Sequence, residues 1–174
     1  YNSGTVRIVT IPAITCKKKY SKLSGTIKPS NNTVITGEKG SGSSTLINFF
    51  LKNPINIPVH RIKIKQTMHQ KKELIVFFNE FMNTNAKTFD ELTEQLIEKH
   101  SNSLIIIEDI NYLFLKKVNG FDALKSYLEL ISKTGKYIYW INSCKLYAWQ
   151  FLNKSIRIES YYRNVLKMSK IDKN

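Results

Sequence analysis

Between Thr33 and Thr45 the chain reads TVITGEKGSGSST. Gly37 and Gly42 bracket four residues, Gly40 lies between them, and Ser43, Ser44 and Thr45 follow. Glycines admit positive φ and close backbone approach, so such a loop lets several N–H groups converge on one anion. A β-favouring run enters the loop and a helical pattern leaves it, which aims a helix N-terminus at the same point. The candidate phosphate ligands are therefore Gly37, Glu38, Lys39, Gly40, Ser41, Gly42, Ser43, Ser44 and Thr45, with Ser44, or its neighbour Thr45, offering a hydroxyl to Mg²⁺. The pattern G-x-x-x-x-G-K-[ST] requires lysine where this chain has Ser43. The bland alternative is a glycine turn between a strand and a helix.

Sixty-odd residues on, LIIIED places Glu108 and Asp109 after four apolar residues. Acids at the tip of a strand near a phosphate loop hold Mg²⁺ and activate an attacking water; alone, the pair would suit a helix cap or solvent equally well. YIYWINSCK ends a third apolar run with Asn142, Ser143 and Lys145. A polar residue at this strand tip, Asn142 among them, is a candidate to touch a terminal phosphate or to position water, although polar strand ends are common. Glu108, Asp109 and Asn142 are thus the candidate catalytic residues, and Ser44, Glu108 and Asp109 the candidate metal ligands.

The elements that must position these residues alternate along the chain. Residues 5–15 read as a strand interrupted by Pro12, followed by a basic turn (17–20) and a loop (24–32). Together residues 1–32 are expected to form a strand-rich N-terminal leader, and residues 33–174 the core. Strands are predicted at 33–36, 60–67, 103–110 and 136–143, with a last strand-like piece over 155–167. Helices are predicted at 44–53, 71–83, 88–100, 121–135 and 147–152, the third opening with the capping box Thr88-x-x-Glu91 and the fourth closing at Gly135. Alternation of this kind implies an α/β fold, three layers deep, whose mostly parallel sheet is flanked by helices.

Composition bounds the function. The net charge is +14, but only four of the 27 cations are arginine (Arg7, Arg61, Arg157, Arg163), leaving 27 − 4 = 23 lysines. Base reading relies on bidentate arginine, whereas lysine acts as a point charge. A solvated lysine surface is the simpler reading, and attraction to nucleic acid or an acidic partner the sharper one. Cys16 and Cys144 lack partners at metal-ligand spacing and His60, His69 and His100 are scattered, which suits buried thiols in a reducing, cytoplasmic setting. No run is long and apolar enough to span a bilayer. The start at Tyr1 leads us to expect a piece of a larger polypeptide.

The loop, the acids and Asn142, in this order, resemble the P-loop NTPases that carry an extra strand between loop and acids, the division holding the AAA+ and STAND ATPases. The resemblance spans roughly Thr33 to Lys167. From Ile107 to Lys154 the chain is similar to the ATPase region of large bacterial proteins described only as ATP-binding. It implies an ATPase core that binds ATP or ADP with Mg²⁺, with Gly37–Thr45 as Walker A, Glu108 and Asp109 as Walker B, and Asn142 as sensor 1. It also implies partners in the rest of a larger polypeptide and in further copies of the chain. Two departures stand out: Ser43 in the lysine slot makes Walker A degenerate, and Glu108-Asp109 reverses the usual acid order; the helical lid that would follow such a core is expected to be absent from these residues.

A lysine–phosphate contact is worth about 1.5–3 kcal/mol, or roughly 10- to 150-fold in affinity. Backbone donors and Mg²⁺ remain, so binding weakens while hydrolysis suffers more. Lys39, at the loop's apex, is the nearest cation to substitute, although an apex side chain ordinarily faces solvent. The expected function is a nucleotide-binding module acting as a regulatory switch, with weak or no hydrolysis. The alternatives are a nucleotide-free pseudo-ATPase scaffold binding protein partners or DNA, and a DNA-associated AAA+ ATPase of transposition or defence machinery.

Overall fold

The computed structural model describes residues 7–11 and 27–169. Six strands, β1 (Arg7–Ile11), β2 (Thr33–Gly37), β3 (Val59–Lys63), β4 (Leu104–Glu108), β5 (Tyr139–Lys145) and β6 (Asn164–Met168), form one sheet in the order β1-β6-β2-β5-β4-β3. Every neighbouring pair is parallel. Among the described residues the helices are α1 (Ser43–Leu51), α2 (Lys71–Met82), α3 (Phe89–His100), α4 (Asp122–Thr134) and α5 (Leu146–Ile156).

Parallel strands need both faces covered, and all five residues of β4 are buried, as its unbroken apolar run anticipates. α1 covers one face, setting Leu46, Ile47 and Phe50 against Ile35, Ile106 and Ile141. α2, α3, α4 and α5 cover the other with an aromatic-rich layer that includes Phe78, Tyr127, Trp140, Trp149 and Tyr162. The three-layer α/β expectation therefore holds. β5 lies between the loop strand β2 and the acid strand β4, in register Val34↔Asn142 and Ile107↔Asn142. The loop and the acids consequently sit at the same sheet edge, one strand apart.

The strand expected in the leader exists over Arg7–Ile11 and adds to the outer side of β6, so it shares the core's sheet. The basic turn at 17–20 and Cys16 fall outside the described residues. The piece predicted as a strand over 155–167 differs: α5 runs to Ile156, a 3-10 turn follows over Ile158–Tyr161, and only Asn164–Met168 pairs. Arg157, at φ 51, makes that break. Gly135 does close α4, but with φ −61, outside the left-handed range. Its lack of a side chain serves a close approach instead, because an added Cβ would lie 3.1 Å from Asn32 Oδ1, and the amide of Asn32 donates to Ile131 O. At the start of α3, Thr88 Oγ1 accepts from Glu91 N, while the Glu91 carboxylate reaches Lys87 N rather than Thr88 N, a box displaced by one residue.

Where β3 meets α3, His60 and His100 stand edge to face with ring centroids 4.8 Å apart. Burial, and secondarily His100, hold His60 below the ordinary histidine value. Folding therefore favours the neutral ring, and the unfolded chain takes up a proton more readily. The stability contributed by neutral His60 is complete above the unfolded pKa of about 6.5 and is lost as the pH falls through it. The Tm should accordingly drop between about pH 7.5 and about pH 5.5, and drop less in His60→Gln. Thermal melts of both proteins at the two pH values measure this.

Candidate nucleotide site

β2 delivers the loop because its apolar residues are locked into the sheet up to Gly37, which is itself buried. A Cβ on Gly37 would meet Ser41 Oγ at 2.2 Å and Met168 Cβ at 2.9 Å, so the turn closes only with glycine there. Gly40 and Gly42 take φ of 83 and 88, a region costly for side chains. An added Cβ at either would meet nothing within 4 Å, so the loop's apex stands open above the backbone. Ser41 N donates to Glu38 O, and Leu46 N to Gly42 O as α1 begins. Ser43 Oγ lies 3.3 Å from Ser41 Oγ, two hydroxyls where the familiar pattern has an ammonium.

Across β5, the acids divide by position. Glu108 is buried, and one carboxylate oxygen accepts from Ser44 Oγ at 3.2 Å while the other accepts from Arg61 Nε at 2.7 Å. Arg61 also donates to Asn48 of α1 through Nη1. The first acid thereby ties the loop helix to the sheet, 64 residues away in sequence. Asp109 turns out of the strand with φ 63; its carboxylate lies 3.5 Å from Lys63 Nζ, and its N–H donates to Ser143 Oγ. The reversed order of the acids thus places the longer side chain toward Ser44 and the shorter one toward Lys63.

These elements enclose a cavity of about 610 Å³ lined by Gly37–Thr45, Lys63, Ile64, Lys65, Asp109, Tyr112, Ser143, Cys144 and Lys145. Its cationic lining, Lys39, Lys63, Lys65 and Lys145, exceeds its carboxylates, Glu38 and Asp109, which suits a polyanion. All nine loop candidates border it. Asn142 does not, because its side chain points to the opposite face of the sheet. There its amide donates to Tyr127 Oη at 2.5 Å and accepts from Tyr162 Oη at 2.7 Å. Strand alternation gives the outward place to Ser143, so the residue expected at the sensor position belongs to the core. The cause is period two: consecutive residues at a strand tip face opposite sides.

Sequence reasoning passed over Arg61 and Lys63 as site residues, and named Ser143 and Lys145 only as polar residues at a strand tip. A signal for the first two existed in HRIKIK, whose alternation sets Arg61 and Lys63 on one face and Ile62 and Ile64 on the other. Cys144 is buried, which pushes its thiol well above the ordinary value. Among the described residues no group of three or more His, Cys, Asp and Glu can hold a metal by itself. Glu108 is not among the residues that line the cavity, and both its carboxylate oxygens are engaged, so with Ser44 it would hold a hard cation only with ligand oxygens completing the shell.

No family model matches the chain, and no curated protein is similar to it in sequence. Solved structures share its fold. The ORC1 protein of Aeropyrum pernix, in complex with DNA, superposes with a TM-score of 0.61 at 11% identity, over 88% of this chain and 44% of that one. Cdc6p from Pyrobaculum aerophilum gives 0.60 at 14% identity, over 90% and 46%. The Walker-type ATPase paby2304 of Pyrococcus abyssi gives 0.57 at 14% identity, over 92% and 55%. The chain thus spans about half the length of these proteins. Its parallel α/β fold is the one these solved structures share.

Proposed function

We propose that this chain binds ATP or ADP at the loop Gly37–Thr45 and acts as a nucleotide-dependent switch within a larger protein, with weak or absent hydrolysis. The observation that carries this is the hydrogen bond from Ser44 on the loop helix to Glu108 at the acid strand, beside an open glycine loop. A hydroxyl on the loop helix paired with a carboxylate at the acid strand supports a Mg²⁺ site beside the loop. When bound, Mg²⁺ neutralises phosphate charge; Ser44 and Glu108 would hold it. The loop's N–H groups and the start of α1 cradle phosphate. Asp109 borders the cavity at the position suited to orienting water, but Lys63 competes for its carboxylate. Competition from Lys63 and the missing Walker A lysine both argue for slow chemistry.

Titration with a labelled ATP analogue, with and without Mg²⁺, tests the reading; no binding in either condition leaves a nucleotide-free scaffold in its place. Ser44→Ala removes the hydroxyl that faces Glu108, and the Mg²⁺-dependent part of the affinity should fall with it. An unchanged dissociation constant by titration calorimetry would take Ser44 out of the site. Asp109→Asn should lower any residual ATPase rate and leave affinity nearly intact. Glu108→Gln should weaken the Mg²⁺ dependence and also lower the Tm, because it leaves the Arg61 guanidinium without its charged partner.

A second reading has its own observation. The charge of +14 accompanies a fold whose structural neighbours include Drosophila ORC bound to DNA, and a DNA-associated ATPase would use lysine-rich surface for phosphate contacts. Retention on duplex DNA that falls steeply with salt would favour it.

A further inference from the structure

We propose that Lys145, on the neighbouring strand, supplies the phosphate-binding cation that residue 43 no longer provides. The inference rests on the nucleotide reading of the loop and names the side chain that makes such a site workable.

Position comes first. Lys145 is the register partner of Gly37, the first glycine of the loop, so the two backbones are one strand spacing apart, about 4.8 Å. Along β5, Tyr139 and Ile141 pack on the α1 side of the sheet, whereas Trp140 and Cys144 pack on the other. Alternation puts Ser143 and Lys145 on the side of α1, the side on which the loop opens. Lys145 is the last residue of its strand, half-buried, and borders the same cavity as the loop.

Its surroundings hold it ready. The backbone N–H donates to Asn111 Oδ1 at 3.2 Å, and the ammonium stands 5.5 Å from the centroid of the Tyr112 ring. Among the described residues no carboxylate forms an ion pair with it; the salt bridges there belong to Arg61, Lys63, His69 and Lys133. The other lysines of the cavity suit the role less well. Lys63 is engaged by Asp109, and β3 lies three strands from β2; Lys65 follows that same distant strand. Lys39 is exposed at the loop's apex. Lys145 alone combines adjacency to Gly37, the correct face and an ammonium without an ion-pair partner. Its four-carbon stem and compact charge suit the β- and γ-phosphates of a nucleoside di- or triphosphate.

Dissociation constants for ATP, ADP and AMP, measured with Mg²⁺ on wild type, Lys145→Ala, Lys145→Arg and Ser44→Ala, decide the matter, with Tm in the absence of nucleotide checking the fold. Lys145→Ala should lose roughly 10- to 150-fold of ATP affinity, the size of one charged contact. The loss should be much smaller for AMP, and Lys145→Arg should keep most of the affinity. If Lys145→Ala binds ATP like wild type while Ser44→Ala is impaired, the lysine assignment is overturned and the loop remains the site. Equal losses for ATP and AMP overturn it too, since the side chain would not act on the outer phosphates. If wild type binds none of the three, the nucleotide reading of the loop fails, and the lysine inference with it.

Discussion

Replacing Asn142 by leucine should lower the Tm substantially and leave nucleotide affinity where it is. Asn142 is fully buried and joins two phenols, donating to Tyr127 and accepting from Tyr162. Burial holds both hydroxyls neutral, pushing their pKa values up. Leucine fills nearly the same volume but leaves both hydroxyls without this partner, and each unsatisfied buried group costs about 1–3 kcal/mol. Two such losses amount to about 2–6 kcal/mol, or roughly 5–20 °C in Tm for a domain of this size. Because the amide lies on the face away from the loop, ATP affinity measured well below the transition should match wild type. A variant that keeps its Tm and loses affinity would return Asn142 to the site.

The second large effect concerns residue 43. Ser43→Lys introduces an ammonium on a four-carbon stem at the head of α1 without altering any glycine of the loop. Introduced into Lys145→Ala, it should restore the roughly 10- to 150-fold in ATP affinity that one charged phosphate contact supplies. Introduced into wild type, it should raise affinity by less, because Lys145 already holds the same phosphates and the two ammonium groups repel. AMP should respond weakly in both backgrounds. Calorimetric titration of the four proteins reads this directly, and equal gains in the two backgrounds would mean that Lys145 does not act on those phosphates.

Much of the fold was legible because the strands announce themselves. LIII, Leu104 to Ile107, is apolar at every position, as suits a strand buried on both faces, and the glycine loop between a strand and a helix marks its own geometry. The layer arrangement followed from the alternation of elements. What stayed hidden were contacts decided by register and by parity. Whether Asn142 or Ser143 faces the loop depends on a one-residue phase that an apolar run such as YIYWI cannot reveal. Arg61 reaches Glu108 across 47 residues, a pairing that follows from β3 lying beside β4. Lys145 meets Gly37 only because β5 inserts between β2 and β4. The end of α5 was misread for a local reason: the residues of SIRIESYY suit a strand in isolation, but Arg157 takes the left-handed region and turns the chain before β6.

The decisive measurement is amide chemical-shift mapping of the isotope-labelled chain titrated with ATP and Mg²⁺. Binding at the glycine loop predicts saturable shifts confined to the N–H groups of Lys39–Thr45 and to the tips of β4 and β5 around Asp109, Ser143 and Lys145, with α2 and α3 unmoved. Spectra that stay unchanged at saturating nucleotide, or shifts that gather on another face of the sheet, would contradict a nucleotide site at this loop.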